Sequence, residues 1–112
     1  MRKNNLGKTG LTVSQIGLGT AELGFAYGIW KPELPSETET INLLKQAVDL
    51  GVTFFDTANY YGLAEERIGK SRILKNPNVA VETKCAQFLE KGEYFSRSEL
   101  EKKIYSQVED SL

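Results

Sequence analysis

The 112-residue sequence has no histidine, one cysteine and three prolines, and each shortage narrows what the chain can do. Without histidine, no Ser-His or Cys-His nucleophile and no imidazole metal ligand can be built from it. The single cysteine, Cys85, excludes an internal disulfide framework and any cysteine-rich zinc site, so a reducing cytoplasm is the expected compartment. No apolar run approaches the roughly 18 residues of a membrane-spanning helix. The N-terminal residues Met1-Arg2-Lys3-Asn4-Asn5 lack the apolar stretch of a secretory signal. A surplus of positive charge is missing too. Fourteen basic residues against 15 acidic ones leave a net charge of −1, whereas nucleic-acid-binding faces carry a basic excess. What remains is ordinary for a globular chain, 40% hydrophobic and 26% charged, and too apolar for a disordered one.

Along the chain, Thr9-Gly10 between Leu6 and Leu11-Thr12-Val13 marks a tight hairpin. Residues 16–20 (Ile-Gly-Leu-Gly-Thr) predict a short buried strand, followed by a long loop over 21–35 with Phe25, Tyr27 and Trp30 in it. Ser36-Glu37-Thr38-Glu39 is a capping box opening a helix whose stripe is Ile41, Leu44, Ala47 and Val48, and Gly51 stops it. Val52 to Asp56 predicts a strand, Glu65 to Lys75 a helix with acids first and bases last, and Val79 to Thr83 a third strand. A polar loop from Cys85 to Phe95 leads to a second capping box, Ser96 to Glu99, and a helix with Leu100, Ile104, Val108 and Leu112 along one side. A hairpin followed by β-α-β-α-β-α is an α/β protein with a parallel sheet. It is either a compact three-stranded domain or a truncated run of βα units.

Gly17-Leu18-Gly19-Thr20-Ala21-Glu22 starts like a dinucleotide fingerprint, but Glu22 stands where the third glycine belongs and no helix is expected to open there. The chemistry is better sought at the C-terminal ends of the strands, where ligands of parallel α/β folds bind. Asp56 and Lys84 are the charged residues at those ends. Strands about 4.8 Å apart let them meet, as a buried ion pair. Tyr61 follows on the loop after Asp56. An ammonium beside a phenol stabilises the phenolate and eases proton donation, and a carboxylate keeps that ammonium charged and oriented. Tyr61, Lys84 and Asp56 therefore make either a general acid for a carbonyl oxygen or a structural ion pair with a surface tyrosine nearby.

The segments Leu6-Gly-Lys-Thr-Gly-Leu-Thr-Val-Ser-Gln-Ile-Gly-Leu-Gly-Thr20, Ala47-Val-Asp-Leu-Gly-Val-Thr-Phe-Phe-Asp-Thr-Ala-Asn-Tyr-Tyr-Gly62, Glu65-Glu-Arg-Ile-Gly-Lys70 and Thr83-Lys84 resemble, in order, the aldo-keto reductase family. The resemblance covers essentially the whole chain. It implies a (β/α)₈ TIM barrel whose N-terminal hairpin closes the bottom. It implies reduction of an aldehyde or ketone with NADPH, or oxidation of an alcohol with NADP or NAD. Tyr61 would be the general acid, Lys84 the residue that favours its phenolate, and Asp56 the residue that orients Lys84. Gly19, Thr20 and Asp56 would lie near the nicotinamide, and Trp30 and Tyr60 would line the pocket of a small carbonyl or alcohol substrate. Cys85 is expected to be a packing residue, and Glu82 shares the face of Lys84 by strand alternation.

The family's further catalytic histidine lies at the end of the next strand. A full barrel takes about 250 residues. Residues 1–112 are therefore expected to form the N-terminal part of one barrel domain, a hairpin plus three βα units. Exposed sheet edges would make such a piece prone to associate with itself or with a complementary piece, and inactive alone.

Overall fold

A computed structural model describes residues 1–28 and 33–111. Two short strands, β1 (Lys3–Asn5) and β2 (Thr12–Ser14), form an antiparallel hairpin with Asn4 opposite Val13. The turn is wider than the tight one expected. Thr9 Oγ1 donates to the Leu6 carbonyl and accepts from the Leu11 amide, so the loop runs over residues 6–11. Ser14 and Thr53 exchange two hydrogen bonds, each amide donating to the other's hydroxyl at 2.8 Å. Thr53 directly precedes the second strand of the main sheet, so this pair fastens the hairpin to the N-terminal end of that sheet.

The main sheet is parallel, in the order β3 (Leu18–Gly19), β4 (Phe54–Asp56), β5 (Ala80–Glu82). Two helices pack beside it, α2 (Glu37–Asp49) and α3 (Ala64–Ser71), and they meet the sheet in a core of Leu23, Leu44, Phe55, Ile68 and Ile73. The α2 start follows the capping box as predicted, with Ser36 Oγ accepting from the Glu39 amide and Glu39 accepting from the Ser36 amide. These bonds hold the Glu39 carboxyl below its ordinary value. At the other end Leu50 caps α2, and Gly51 takes the left-handed conformation at φ +92°. Strand β3 is not the buried strand expected. Among the described residues it pairs only with β4, leaving Leu18 half-buried and Gly19 exposed.

Three further corrections concern helices. A one-turn helix, α1 (Ala21–Gly24), opens directly after Thr20 where only loop was expected, because Leu23 is drawn into the core. The helix expected over 65–75 breaks at Arg72, which adopts φ +60°, and resumes as a 3₁₀ turn over Ile73–Lys75. Ser71 causes the break. Its hydroxyl donates to the Ile68 carbonyl and accepts from the Ile73 amide, a local side-chain alternative to the helical ladder. The stretch expected as loop between Cys85 and Phe95 contains a 3₁₀ turn, Gln87–Lys91.

The last helix, α4 (Arg97–Ser111), begins at its predicted capping box, with Ser96 and Glu99 exchanging hydrogen bonds. Its apolar stripe stays uncovered: Leu100 and Ile104 are half-buried, Val108 is exposed, and Leu112 lies outside the described residues. Polar contacts hold it instead, with Gln107 accepting from the Ala86 amide and Ser111 donating to Glu65. Lys103 Nζ sits 5.3 and 5.0 Å from the Phe88 and Phe95 rings. The radius of gyration, 15.5 Å, exceeds the roughly 13 Å of a compact domain of about this length. That favours an open run of βα units over a closed three-stranded domain. Among the described residues no helix is long and apolar enough to cross a membrane.

Candidate active site

The register sets the site. Gly19 pairs with Asp56 across β3 and β4, and Asp56 pairs with Glu82 across β4 and β5, so the C-terminal ends of the strands align. Beyond them the ladder continues irregularly, the Thr57 amide donating to the Glu82 carbonyl and the Asn59 amide to the Lys84 carbonyl. Side chains two residues apart on one strand share a face, which puts Lys84 on the side of Glu82 and within reach of Asp56. Its Nζ lies 2.6 Å from Asp56 Oδ2 and donates also to the Thr57 carbonyl at 2.9 Å.

The expected pairing therefore forms, but the expected burial does not. The Lys84 and Asp56 side chains are 44% and 39% exposed, because the face they occupy is open among the described residues. The Lys84 amine is nevertheless held above its ordinary value. Partial burial alone would lower it, and the hydrogen bond and charge of Asp56, with Tyr61 and Glu82 adding to them, outweigh that. A raised value means that whatever stability the pair adds is complete below the ordinary lysine value of 10.5 and is lost as pH rises above it. Throughout the neutral range the ammonium stays charged. Glu82 is exposed, and its electrostatic partner is this same ammonium.

Tyr61 is half-buried, with Lys84 Nζ 5.5 Å from its ring centroid. The Tyr61 carbonyl accepts from the Ala64 amide at the start of α3, and its amide donates to the Ala58 carbonyl. The Phe25 ring stands 6.1 Å from the Tyr61 ring. Thr20 is fully buried, and its amide and hydroxyl both donate to the Asp56 carbonyl, at 2.9 and 3.0 Å. Its hydroxyl is thus committed to holding the end of β4.

Gly19, Thr20, Asp56 and Tyr61 border one cavity of about 260 Å³. Glu22 and Tyr27 line it as well, and sequence reasoning missed both. For Glu22 the signal was its position just past a strand end; for Tyr27 it was its place among the aromatics of the 21–35 loop. Tyr60 is 62% exposed and borders a different recess of about 150 Å³, shared with Lys84, Cys85 and Phe88. The two tyrosines thus border different recesses beside the ion pair, and both rings stand near Phe25, Tyr60 at 6.4 Å and Tyr61 at 6.1 Å. Cys85 is exposed in that recess, which corrects its expected role as a packing residue. Trp30 lies outside the described residues.

Comparison with known proteins identifies the family of the chain. The profile of the Aldo/keto reductase family matches residues 15–111. L-galactose dehydrogenase from Arabidopsis thaliana is 37% identical over 109 residues, which are 93% of this chain and 32% of that protein. An aldo-keto reductase from Metarhizium robertsii is 40% identical over 97 residues, 81% of this chain and 25% of its own length. The holo form of an aldo-keto reductase from Bacillus halodurans superposes with a TM-score of 0.72 at 28% identity, covering 100% of this chain and 35% of the other. The chain thus spans a quarter to about a third of the length of these three relatives. By its sequence and by the course of its backbone, the chain belongs to the aldo-keto reductase family.

Proposed function

We propose that these residues form the catalytic corner of a (β/α)₈ barrel oxidoreductase acting between NADP(H), or NAD(H), and a small aldehyde, ketone or alcohol. The observation that carries this reading is the Lys84 ammonium held between the Asp56 carboxylate and the Tyr61 ring. This reading needs an open approach for a flat cofactor ring at the strand ends, and Gly19 is compatible with one among the described residues. A Cβ built on Gly19 meets no atom within 4 Å, so the strand end faces open space beside Thr20 and Asp56. Gly19 and Asp56 are the residues that would hold the nicotinamide, with buried Thr20 fixing the strand end beside it through the Asp56 carbonyl; the group, when bound, supplies or accepts the hydride.

The remaining steps fall to the chain itself. As the carbonyl carbon gains a hydride, the Tyr61 hydroxyl donates its proton to the oxygen, where negative charge develops. Lys84 stabilises the phenolate left behind, and Asp56 fixes Lys84 in place. In the oxidative direction, which the Arabidopsis relative's name denotes, the phenolate takes the proton back. Tyr60 and Trp30 are the proposed walls of the substrate pocket. The proposed compartment is a reducing cytoplasm, on the ground that the chain has a single cysteine. In a complete barrel carrying these residues, Lys84→Met is expected to lower carbonyl reduction by about 10²-fold or more while cofactor binding persists. Unchanged turnover would remove Lys84 from the mechanism.

A second reading, a catalytically inactive piece that associates with itself or with a complementary piece, is favoured by the sheet edges. Strands β3 and β5 are each paired on one side only among the described residues, and Ile16 and Leu74 are exposed. Sizing of the purified chain separates the two. Concentration-dependent dimers without NADPH binding support association, and a monomer that binds NADPH excludes it.

A further inference from the structure

Arg67 is an unusual residue for its place. It is 6% exposed, yet among the described residues no carboxylate pairs with it. Glu66 next to it acts on it only through space, without an ion-pair contact, and a buried guanidinium held that way is costly, where an apolar side chain of similar volume would fill the same space at lower cost. Its hydrogen bonds show what it holds. Nη1 donates to the Leu23 carbonyl at 2.6 Å and to Thr40 Oγ1 at 3.1 Å.

The Leu23 bond is the informative one. Helix α1 is four residues long and has no side-chain cap at its N-terminus, so it is too short to hold itself in place. Its last two carbonyls would be left without partners inside the helix. Both are taken by the segment that follows Tyr61: the Leu63 amide donates to Gly24 and Arg67 donates to Leu23. The fit between the two segments is close. A Cβ on Gly24 would stand 1.6 Å from the Tyr61 carbonyl oxygen, and one on Gly62 would stand 2.4 Å from the Gly24 oxygen. Next in sequence, Phe25 sets its ring against Tyr61. A closed circuit results. Tyr61 is bonded to Ala64, α3 carries Arg67, Arg67 holds Leu23, and Gly24 and Phe25 press back on Tyr61.

We propose that Arg67 is a positioning residue for Tyr61, acting through the backbone of Leu23 and Gly24. Its bond to Leu23 fixes α1 against the 61–64 turn and so holds the Tyr61 ring beneath the Lys84 ammonium. The role rests on Tyr61 being the proton donor proposed above. Its test does not, because it reads where the ring is and not turnover.

A methylene beside an aromatic ring feels the ring current, so the Lys84 side-chain resonances report the ring's position. In Arg67→Met, native Leu44 and Ile68 methyl resonances are expected to persist while the Lys84 ε-proton resonances move toward random-coil positions and the Tyr61–Phe25 cross-peaks weaken. Thr40→Val removes the other Arg67 bond and is expected to leave both signals in place. A general loss of packing would move the two variants alike. Should Arg67→Met not fold, Arg67→Lys serves in its place. Its single ammonium reaches less far, and the same signals are expected to weaken. A folded Arg67 variant with wild-type Lys84 and Tyr61–Phe25 signals, or a Thr40→Val variant that loses them equally, overturns the proposal. If Tyr61→Phe leaves reduction intact, the functional reading falls while the positioning result stands.

Discussion

Gly24→Ala is expected to cost about 3 kcal/mol or more of stability and to displace the Tyr61 ring from Lys84. The added methyl would lie 1.6 Å from the Tyr61 oxygen, 2.8 Å from its carbonyl carbon and 2.7 Å from the Ala64 nitrogen. All three are backbone atoms, and no rotamer change moves them aside. Two adjustments are open. If α1 retreats, it breaks the 3.1 Å bond from Leu63 to Gly24 and pulls Leu23 from the core. If the 61–64 turn retreats, Tyr61 leaves its place beside Lys84. Domains of this kind are stable by only about 5–15 kcal/mol, so either adjustment consumes a large share of the total. Gly19→Ala is the matching control. It meets no atom within 4 Å, so it should leave stability nearly unchanged while its methyl intrudes on the 260 Å³ cavity and weakens cofactor binding. Urea unfolding separates the two: the midpoint of Gly24→Ala falls at an unchanged slope, and that of Gly19→Ala holds. A Gly24→Ala chain with the wild-type midpoint would contradict the packing of α1 on the 61–64 turn.

Much of this geometry is legible in the residues, and what is not has identifiable physical reasons. Both capping boxes, Ser36 with Glu39 and Ser96 with Glu99, form as expected because their logic is local. The meeting of Asp56 and Lys84 follows from strand spacing and side-chain alternation alone. Its exposure does not, since burial depends on what covers the sheet. The break at Arg72 carries no glycine or proline to announce it; Ser71 makes it with a side-chain bond that competes with the helix. Helix α1 is too short to show a periodicity, and it exists because the core takes Leu23 and because α3 supplies partners for its carbonyls. Arg67 was the hardest to foresee. On a helix with acids first and bases last a cation is expected in solvent, and only the tertiary contact with Leu23 and Thr40 turns it inward.

The role of Tyr61 carries the functional account. Phenylalanine at this position keeps the ring that packs near Phe25 and faces Lys84, so the fold and the ammonium's setting survive and only the acidic hydroxyl is lost. A positioned general acid contributes about 10²–10⁴-fold to a rate. The deciding measurement is NADPH-dependent carbonyl reduction by Tyr61→Phe, in a complete barrel carrying residues 1–112, with cofactor binding followed in parallel. Loss of reduction by at least about 10²-fold with cofactor affinity retained is the predicted result. Turnover at the wild-type rate would show that the proton comes from elsewhere.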